Sequence, residues 1–282
     1  MQLLSIQSHV AYGHVGNSAA VFPLQRLGCE VWPIHTVQFS NHTGYGAWSG
    51  QVFAAAMIRE LVDGIAARGV LASCDGVLSG YVGAADTGAA ILDSVAKVKA
   101  ANPAARYCCD PVIGDRGRGV FVRPGIAEFM RDHAVPAADI VTPNHFELDN
   151  LTGRSASTLA QACGAIDDVH ALGPSTVLVT SLQTQDTPNN AIDLVASDAS
   201  GRFRVRTPKL GRSFDGAGDL IAALFFLHLL REATIAQALS RATSSVFGLL
   251  RATVEAGARE MLLIEAQDEI VNPGQLFPAD PV

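Results

Sequence analysis

The chain has 282 residues, with 20 basic and 27 acidic side chains and a formal charge of −7. At 49% hydrophobic and 17% charged residues, it has enough apolar surface to offset the ordering entropy that keeps charged, apolar-poor chains disordered. The acidic balance excludes a broad nucleic-acid or anionic-membrane surface, since both need a basic field, so an anionic ligand has to be held locally.

Reading from the start, Met1 to Ser8 lacks the basic region and apolar run of a secretory signal. The most apolar stretch, Leu220 to Leu230, is far below the ~20 residues a bilayer span needs and contains His228. A soluble, cytoplasmic protein with no membrane partner is expected. Short β-rich runs at Leu3–Ile6, Val31–Ile34, Val77–Ser79, Tyr107–Cys109 and Val177–Thr180 alternate with segments of helical period. The helical candidates are Ser18–Leu27, ended by Gly28; Ala54–Arg68, ended by Gly69; and Ala85–Ala100, before Asn102-Pro103. Ala191–Val195 and Phe203–Thr207, joined by the turn at Asp198-Ala199-Ser200-Gly201, read as an antiparallel hairpin near a sheet edge. A helix after Gly218 runs to about Arg231. After a break at Glu232-Ala233-Thr234, another spans Ile235 to about Val254.

Strands this apolar, separated by helices, belong in a mostly parallel sheet covered on both faces, which predicts a three-layer α/β/α sandwich. No repeat, low-complexity linker or charge block marks a boundary, so one domain over 1–282 is expected. Five cysteines without a C-x-x-C spacing point to reduced, mostly buried thiols.

The most informative run is Ser213-Phe214-Asp215-Gly216-Ala217-Gly218-Asp219, followed at once by an apolar helix. A helix N-terminus presents unpaired N–H donors and about half a positive charge, and small residues let an anion approach them. Gly216 to Asp219 is therefore a candidate anion hole, though a plain turn with Asp219 as a first-turn acid accounts for the same letters. Rossmann and Walker fingerprints are absent. In Thr142-Pro143-Asn144-His145-Phe146-Glu147, Asn144 and Glu147 share one face of a helical turn, and a single carboxylate acting with nucleotide phosphates suits Mg²⁺. An Asn or Thr cap with a first-turn Glu explains this run equally well. Asp110 leaves a strand and leads into a loop carrying Arg116 and Arg118, which are candidate phosphate contacts or solvated surface residues. His9, His14 and His42 lie in polar, glycine-bearing connections without metal-ligand spacing and read as hydrogen-bonding loop residues. Ser-His-Asp catalysis has no support, since no G-x-S-x-G elbow occurs.

Taken in order, six segments resemble those of the pyridoxal kinases, within the ribokinase-like group, along nearly the whole chain. They are S-I-Q-S-H-V-A-Y-G-H-V-G-N-S-A-A from Ser5, T-V-Q-F-S-N-H-T-G-Y-G from Thr36, S-G-Y-V-G from Ser79, C-D-P-V-I-G-D from Cys109, T-P-N-H-F-E-L from Thr142 and G-A-G-D from Gly216. The resemblance implies phosphorylation of the 5′-hydroxymethyl group of pyridoxal, pyridoxine and pyridoxamine, using ATP and Mg²⁺, in a homodimer. It also implies that Ser8 meets the vitamin's pyridine ring, with Thr43 and Gly44 beside it and Tyr81 facing the ring. Asp219 matches the general base, and the amides of Gly216, Ala217 and Gly218 would face the transferring phosphoryl group. The nucleotide side would comprise Asp110, Thr142, Glu147, Thr180 and the strand end Thr207-Pro208-Lys209-Leu210, with Glu147 nearest the metal. Some related bacterial enzymes have lysine where Thr180 stands, whereas others share Thr-Ser at 180 and 181. The sequence around Arg212-Ser213-Phe214 departs from its closest-looking relatives, and no contacts are carried over there. The alternatives are a hydroxymethylpyrimidine kinase of the same group, against which Ser8 and the S-N-H-T run argue, and a non-catalytic vitamin- or nucleotide-binding regulator, against which Asp219 argues.

Overall fold

The computed structural model describes residues 1–231 and 234–282, so Glu232 and Ala233 of the expected break lie outside the described residues. The chain opens with β1 (Gln2–Val10), α1 (Asn17–Arg26), β2 (Glu30–Phe39) and β3 (Gly50–Val52). It continues through α2 (Ala55–Ala66), β4 (Gly76–Ser79), α3 (Ala85–Ala101) and β5 (Arg106–Cys109). A small hairpin, β6 (Gly114–Asp115) and β7 (Gly119–Val120), precedes α4 (Ile126–Phe129), a π turn at Met130–Ala134 and α5 (Val135–Ala137). Then come β8 (Ile140–Val141), α6 (His145–Thr152), α7 (Leu159–Leu172), β9 (Thr176–Leu182), β10 (Ala191–Asp198) and β11 (Gly201–Pro208). The last elements are α8 (Ala217–Arg231), α9 (Ile235–Glu255), α10 (Asp268–Val271) and β12 (Asp280–Pro281).

One sheet collects ten strands in the order β12-β11-β10-β9-β8-β5-β4-β1-β2-β3. The six from β9 to β2 run parallel, while β10, β11, β12 and β3 add antiparallel edges. Alternation along each parallel strand feeds two apolar layers. Leu4, Val77, Cys109 and Val179 pack against α2, α3 and α7, whereas Leu3, Leu78, Cys108 and Leu178 pack against α1, α8 and α9. The fold is thus the expected α/β/α sandwich. Burial drives the Cys108 and Cys109 thiols well above their ordinary pKa, which keeps them protonated and inert.

Two boundaries differ from expectation and both bear on function. Strand β1 continues past Ile6 to Val10, so Ser8 and His9 stand on the strand itself, and the His9 ring stacks on His35 at 4.2 Å. A buried polar network holds this extension. Asn17, at the start of α1, accepts from the Ser5 hydroxyl at 2.7 Å, donates to the Ile34 carbonyl at 2.9 Å and meets His35 Nδ1 at 3.0 Å. Helix α8 begins at Ala217, earlier than the glycines suggest, because Gly216 supplies the turn into it.

Because the central strands are parallel, their carboxyl ends share one rim, the usual place for a ligand in an open α/β sheet. Strand β11 is antiparallel to β10, which is antiparallel to β9, so Thr207 and Pro208 reach the same rim. Replacing Asn17 with Ala strands the buried Ser5 hydroxyl and Ile34 carbonyl, and we expect a loss of about 1–3 kcal/mol in urea denaturation.

Candidate functional site

The centre of the rim is the mouth of α8. The first internal bond of this helix runs from the Leu220 N–H to the Gly216 carbonyl at 2.9 Å, and the Ala217 N–H only reaches back to Phe214 O at 3.5 Å. Gly218 is exposed, and among the described residues its N–H meets no carbonyl. An accessible donor at the positive end of a long helix is suited to an anion. Gly216 has φ +82°, and a Cβ there would collide with the His14 carbonyl, so the turn depends on glycine.

Asp219 is half-buried beside this mouth, with the Gly16 amide of the β1–α1 connection facing its carboxylate. Burial raises its pKa to about 6, against the pull of that amide and of His42. Gly16 in turn lies against Ser8, where a Cβ would strike the Ser8 main chain and hydroxyl. Ser8, Gly16 and Asp219 therefore form one contiguous corner.

Thr43 and Gly44 lie in an exposed helical turn at Thr43–Tyr45, whose preceding residue His42 accepts from the Gly44 N–H at 3.3 Å. His42 Nδ1 also meets Asp215 Oδ2 at 2.9 Å, which brings this loop to the mouth of α8 and holds the Asp215 carboxyl below its ordinary pKa. His42 is thus the hydrogen-bonding loop residue the sequence suggested, as is His14, whose Nδ1 lies 3.3 Å from Ser18 O; His9, by contrast, lies within β1. Tyr81, after β4, packs between two apolar groups, and its carbonyl accepts from the Thr36 hydroxyl at 2.8 Å.

Asp110, at the end of β5, is buried and accepts from the Thr142 hydroxyl at 2.8 Å. Burial, then the charges of Glu147 and Asp219, push its pKa well above the carboxylate range. Glu147 is committed elsewhere. Its Oε2 accepts from the Asn144 N–H at 2.8 Å, and its Oε1 accepts from the Ile113 and Gly114 amides at 2.9 and 3.4 Å. Asn144 Oδ1 accepts from the Glu147 N–H at 3.0 Å, which completes a capping box on α6. The structural reading of that run is therefore realised, and the acid also clamps the loop after β5. Burial lifts Glu147 to a pKa of about 7 despite the amides. Among the described residues, no three His, Cys, Asp or Glu side chains stand close enough to hold a metal by themselves.

On the far side, Thr180 pairs with Asn144 across a β-bridge, and Thr207 is buried opposite Ile192. The Lys209 N–H donates to Asn190 O at 2.7 Å, and Leu210 packs into the apolar group that holds Phe214 and Ala217. The two loop arginines are paired within the protein. Arg116 donates to the Gln183 carbonyl at 3.1 Å and meets His145 Nε2 at 2.8 Å, while Arg118 pairs with Asp115 at 2.7 Å and Asp215 at 3.5 Å. Sequence reasoning missed Gly16 as the neighbour of Asp219 and Asp215 as the link between loops. Neither signal is local, since each partner lies far away along the chain.

Residues 46–263 match the phosphomethylpyrimidine kinase family. The pyridoxal kinase PdxY of Granulibacter bethesdensis is 55% identical over 283 residues, covering 99% of this chain and 99% of the relative. That of Rubrobacter xylanophilus is also 55% identical, covering 99% and 96%. Among solved structures, the pyridoxal kinase of Leishmania donovani in complex with ADP and pyridoxamine superposes with a TM-score of 0.92 at 30% identity, covering 100% of this chain and 99% of that one.

A glutamine at 147 offers one oxygen to three donors and turns an amide N–H₂ toward the others. Urea denaturation of Glu147→Gln at pH 8, where the native carboxylate is ionised, should show a loss of about 1–3 kcal/mol.

Proposed function

The chain belongs to the phosphomethylpyrimidine kinase family, with pyridoxal kinases as its full-length relatives, and we propose that it transfers the γ-phosphoryl group of ATP to the 5′-hydroxymethyl oxygen of pyridoxal. The observation that carries this reading is the corner where Asp219, with the Gly16 amide facing it, adjoins the open Gly218 amide at the rim that the loops after β1, β2 and β4 share with the strand ends of β8, β9 and β11. A nucleophile and a phosphoryl donor arriving from opposite halves of the rim meet there.

In this reading Ser8, Thr43, Gly44 and Tyr81 receive the vitamin ring. Asp110, Thr142, Thr180 and the segment Thr207-Pro208-Lys209-Leu210 receive the nucleotide. The alcohol attacks phosphorus in line, a step governed by positioning and charge stabilisation. Asp219 orients the hydroxyl and accepts its proton late, since a carboxylate of pKa about 6 cannot ionise an alcohol beforehand. The Gly216, Ala217 and Gly218 backbone faces the charge that builds on the transferred oxygens.

Mg²⁺ belongs to the same reading, and the donor set suits it. Asp110 sits buried within the fields of Glu147 and Asp219, a concentration of acid that a divalent cation relieves. Asp110 would hold the ion together with nucleotide phosphates and water, and Glu147, its oxygens occupied by amides, would act from one water further out. When bound, the ion neutralises developing phosphate charge.

One sheet running from β1 to β12 supports a single domain over the whole length. Homodimeric assembly rests on the family resemblance. No helix among the described residues is long and apolar enough to cross a membrane.

Assays of ADP release with pyridoxal, pyridoxine, pyridoxamine and hydroxymethylpyrimidine in parallel test the proposal. Turnover with the vitamers is expected, turnover with the pyrimidine alone would move the assignment to its sister activity, and binding without ADP would indicate a regulator. Asp219→Asn should lower turnover about 10²–10⁴-fold while leaving ATP binding nearly unchanged. The pH profile of kcat/KM should fall about tenfold per unit below pH ~6 as Asp219 takes up its proton. Stability has the opposite sign. A folded pKa raised above 3.8 makes the ionised acid a net cost to folding that grows as pH rises toward 6.

A further inference from the structure

Beyond α9, the segment Ala258–Leu263 touches the loops after β1 and β2 on the vitamin side, although it carries none of the residues assigned above. Met261 and Leu263 are buried in the α8–α9 core, so this segment is anchored at two points. The half-buried Glu260, immediately before them, offers both carboxylate oxygens outward. Oε1 accepts from the Tyr45 hydroxyl, and Oε2 accepts from the His14 N–H at 3.2 Å. Gly13 has φ +92°, and a Cβ on it would strike this carboxylate, so the first loop is shaped to receive Glu260.

Neighbouring contacts reinforce the tie. The Arg259 guanidinium lies 3.6 Å over the Tyr45 ring, and Tyr12 meets that ring edge-on at 6.0 Å. Arg212, which leads into the mouth of α8, donates to the Ala258 and Arg259 carbonyls at 2.6 and 2.7 Å. The Met261 methyl lies 3.1 Å from where a Cβ on Gly216 would stand. Burial and the adjoining carboxylate raise Tyr45 to a pKa of about 12, so its hydroxyl remains the donor.

We infer that Glu260 is a positioning residue for the vitamin side of the site: its carboxylate spans from Tyr45 in the second loop to His14 in the first and sets the spacing between the two loops that receive the ring. The inference rests on the pyridoxal kinase reading for the identity of the ring. His14 leads directly to Gly16, whose amide faces Asp219, so the same tie reaches that carboxylate from behind.

The test compares Glu260→Ala, Glu260→Gln and Tyr45→Phe with the unaltered full-length protein, reading KM for pyridoxal and for ATP separately, together with amide hydrogen exchange. Glu260→Ala removes both bonds and should raise KM for pyridoxal about tenfold, with KM for ATP within about twofold. Glu260→Gln keeps one acceptor for two donors, and Tyr45→Phe removes one donor; each should raise KM for pyridoxal about threefold. Tyr45→Phe added to Glu260→Ala should cost nothing more. Exchange should quicken at residues 11–16 and 42–46 and stay unchanged in β10 and β11. Equal rises in both KM values, a fall in kcat alone, or unmoved exchange at those two loops would overturn the inference. If Glu260→Ala does not accumulate folded, Tyr45→Phe carries the same comparison from the loop side. An unaltered protein that releases no ADP with any B6 vitamer overturns the activity, whereas unmoved exchange overturns the tie whatever the substrate.

Discussion

The site depends on one contact, in which the connection after β1 is pressed against the first turn of α8. Gly216 lacks a side chain where the His14 carbonyl passes, and the Gly16 amide, two residues further on, faces the Asp219 carboxylate. Gly216 is thus required by the other stretch of chain rather than by its own turn alone, while Gly16 is kept bare by Ser8 of β1. Both partners are held rigidly from behind: β1 lies inside the sheet between β4 and β2, and Leu220 to Leu227 of α8 are buried beneath it. A carboxylate on a free helix end swings among rotamers. This one has an amide from the opposite end of the sequence facing it, so its position follows from the packing of two apolar layers.

The same closeness has an electrostatic cost. Asp110, Glu147 and Asp219 all have pKa values pushed upward by burial, and Asp110 also feels the other two. Three amides offset part of this at Glu147, the Thr142 hydroxyl part at Asp110, and Gly16 part at Asp219. What remains favours protons or an external cation, and a ligand that brings positive charge to this rim gains binding energy the protein has already set aside. A ten-stranded, doubly covered sheet is the part of the molecule that can sustain such a local deficit.

The architecture was legible because it is written locally. Alternation such as Leu3/Leu4 and Leu78/Val77 in buried strands, with glycine stops after the first two helices, leads directly to a covered parallel sheet. The Asn144–Glu147 spacing reads as a cap, and a cap is what it forms. The end of β1 was not legible, since Gln7, Ser8 and His9 are polar, and only the Asn17 network, whose partners come from β2, makes burial of that stretch affordable. Arg259 and Glu260 follow a helix end and look like an ordinary solvated pair. Their meaning comes from Tyr45 and His14, to which no periodicity connects them.

The remaining ties across the mouth differ in kind from the buried ones. Asp215 joins His42 of the second loop to Arg118 of the β6–β7 hairpin, and all three side chains stay partly in solvent. Exposed ion pairs of this sort contribute about 0–1 kcal/mol each, because water and salt screen them. Gly16 and Gly216, by contrast, are locked by backbone contacts that cannot be exchanged for water without moving a strand. The molecule thus grades its own stiffness: Asp219 and the first turn of α8 are anchored on the core by the buried run from Leu220, while the loops above them are tied by bonds that thermal motion breaks readily. That grading meets the two opposed demands of a two-substrate transfer, a fixed geometry at the reacting atoms and an entrance that opens for each substrate.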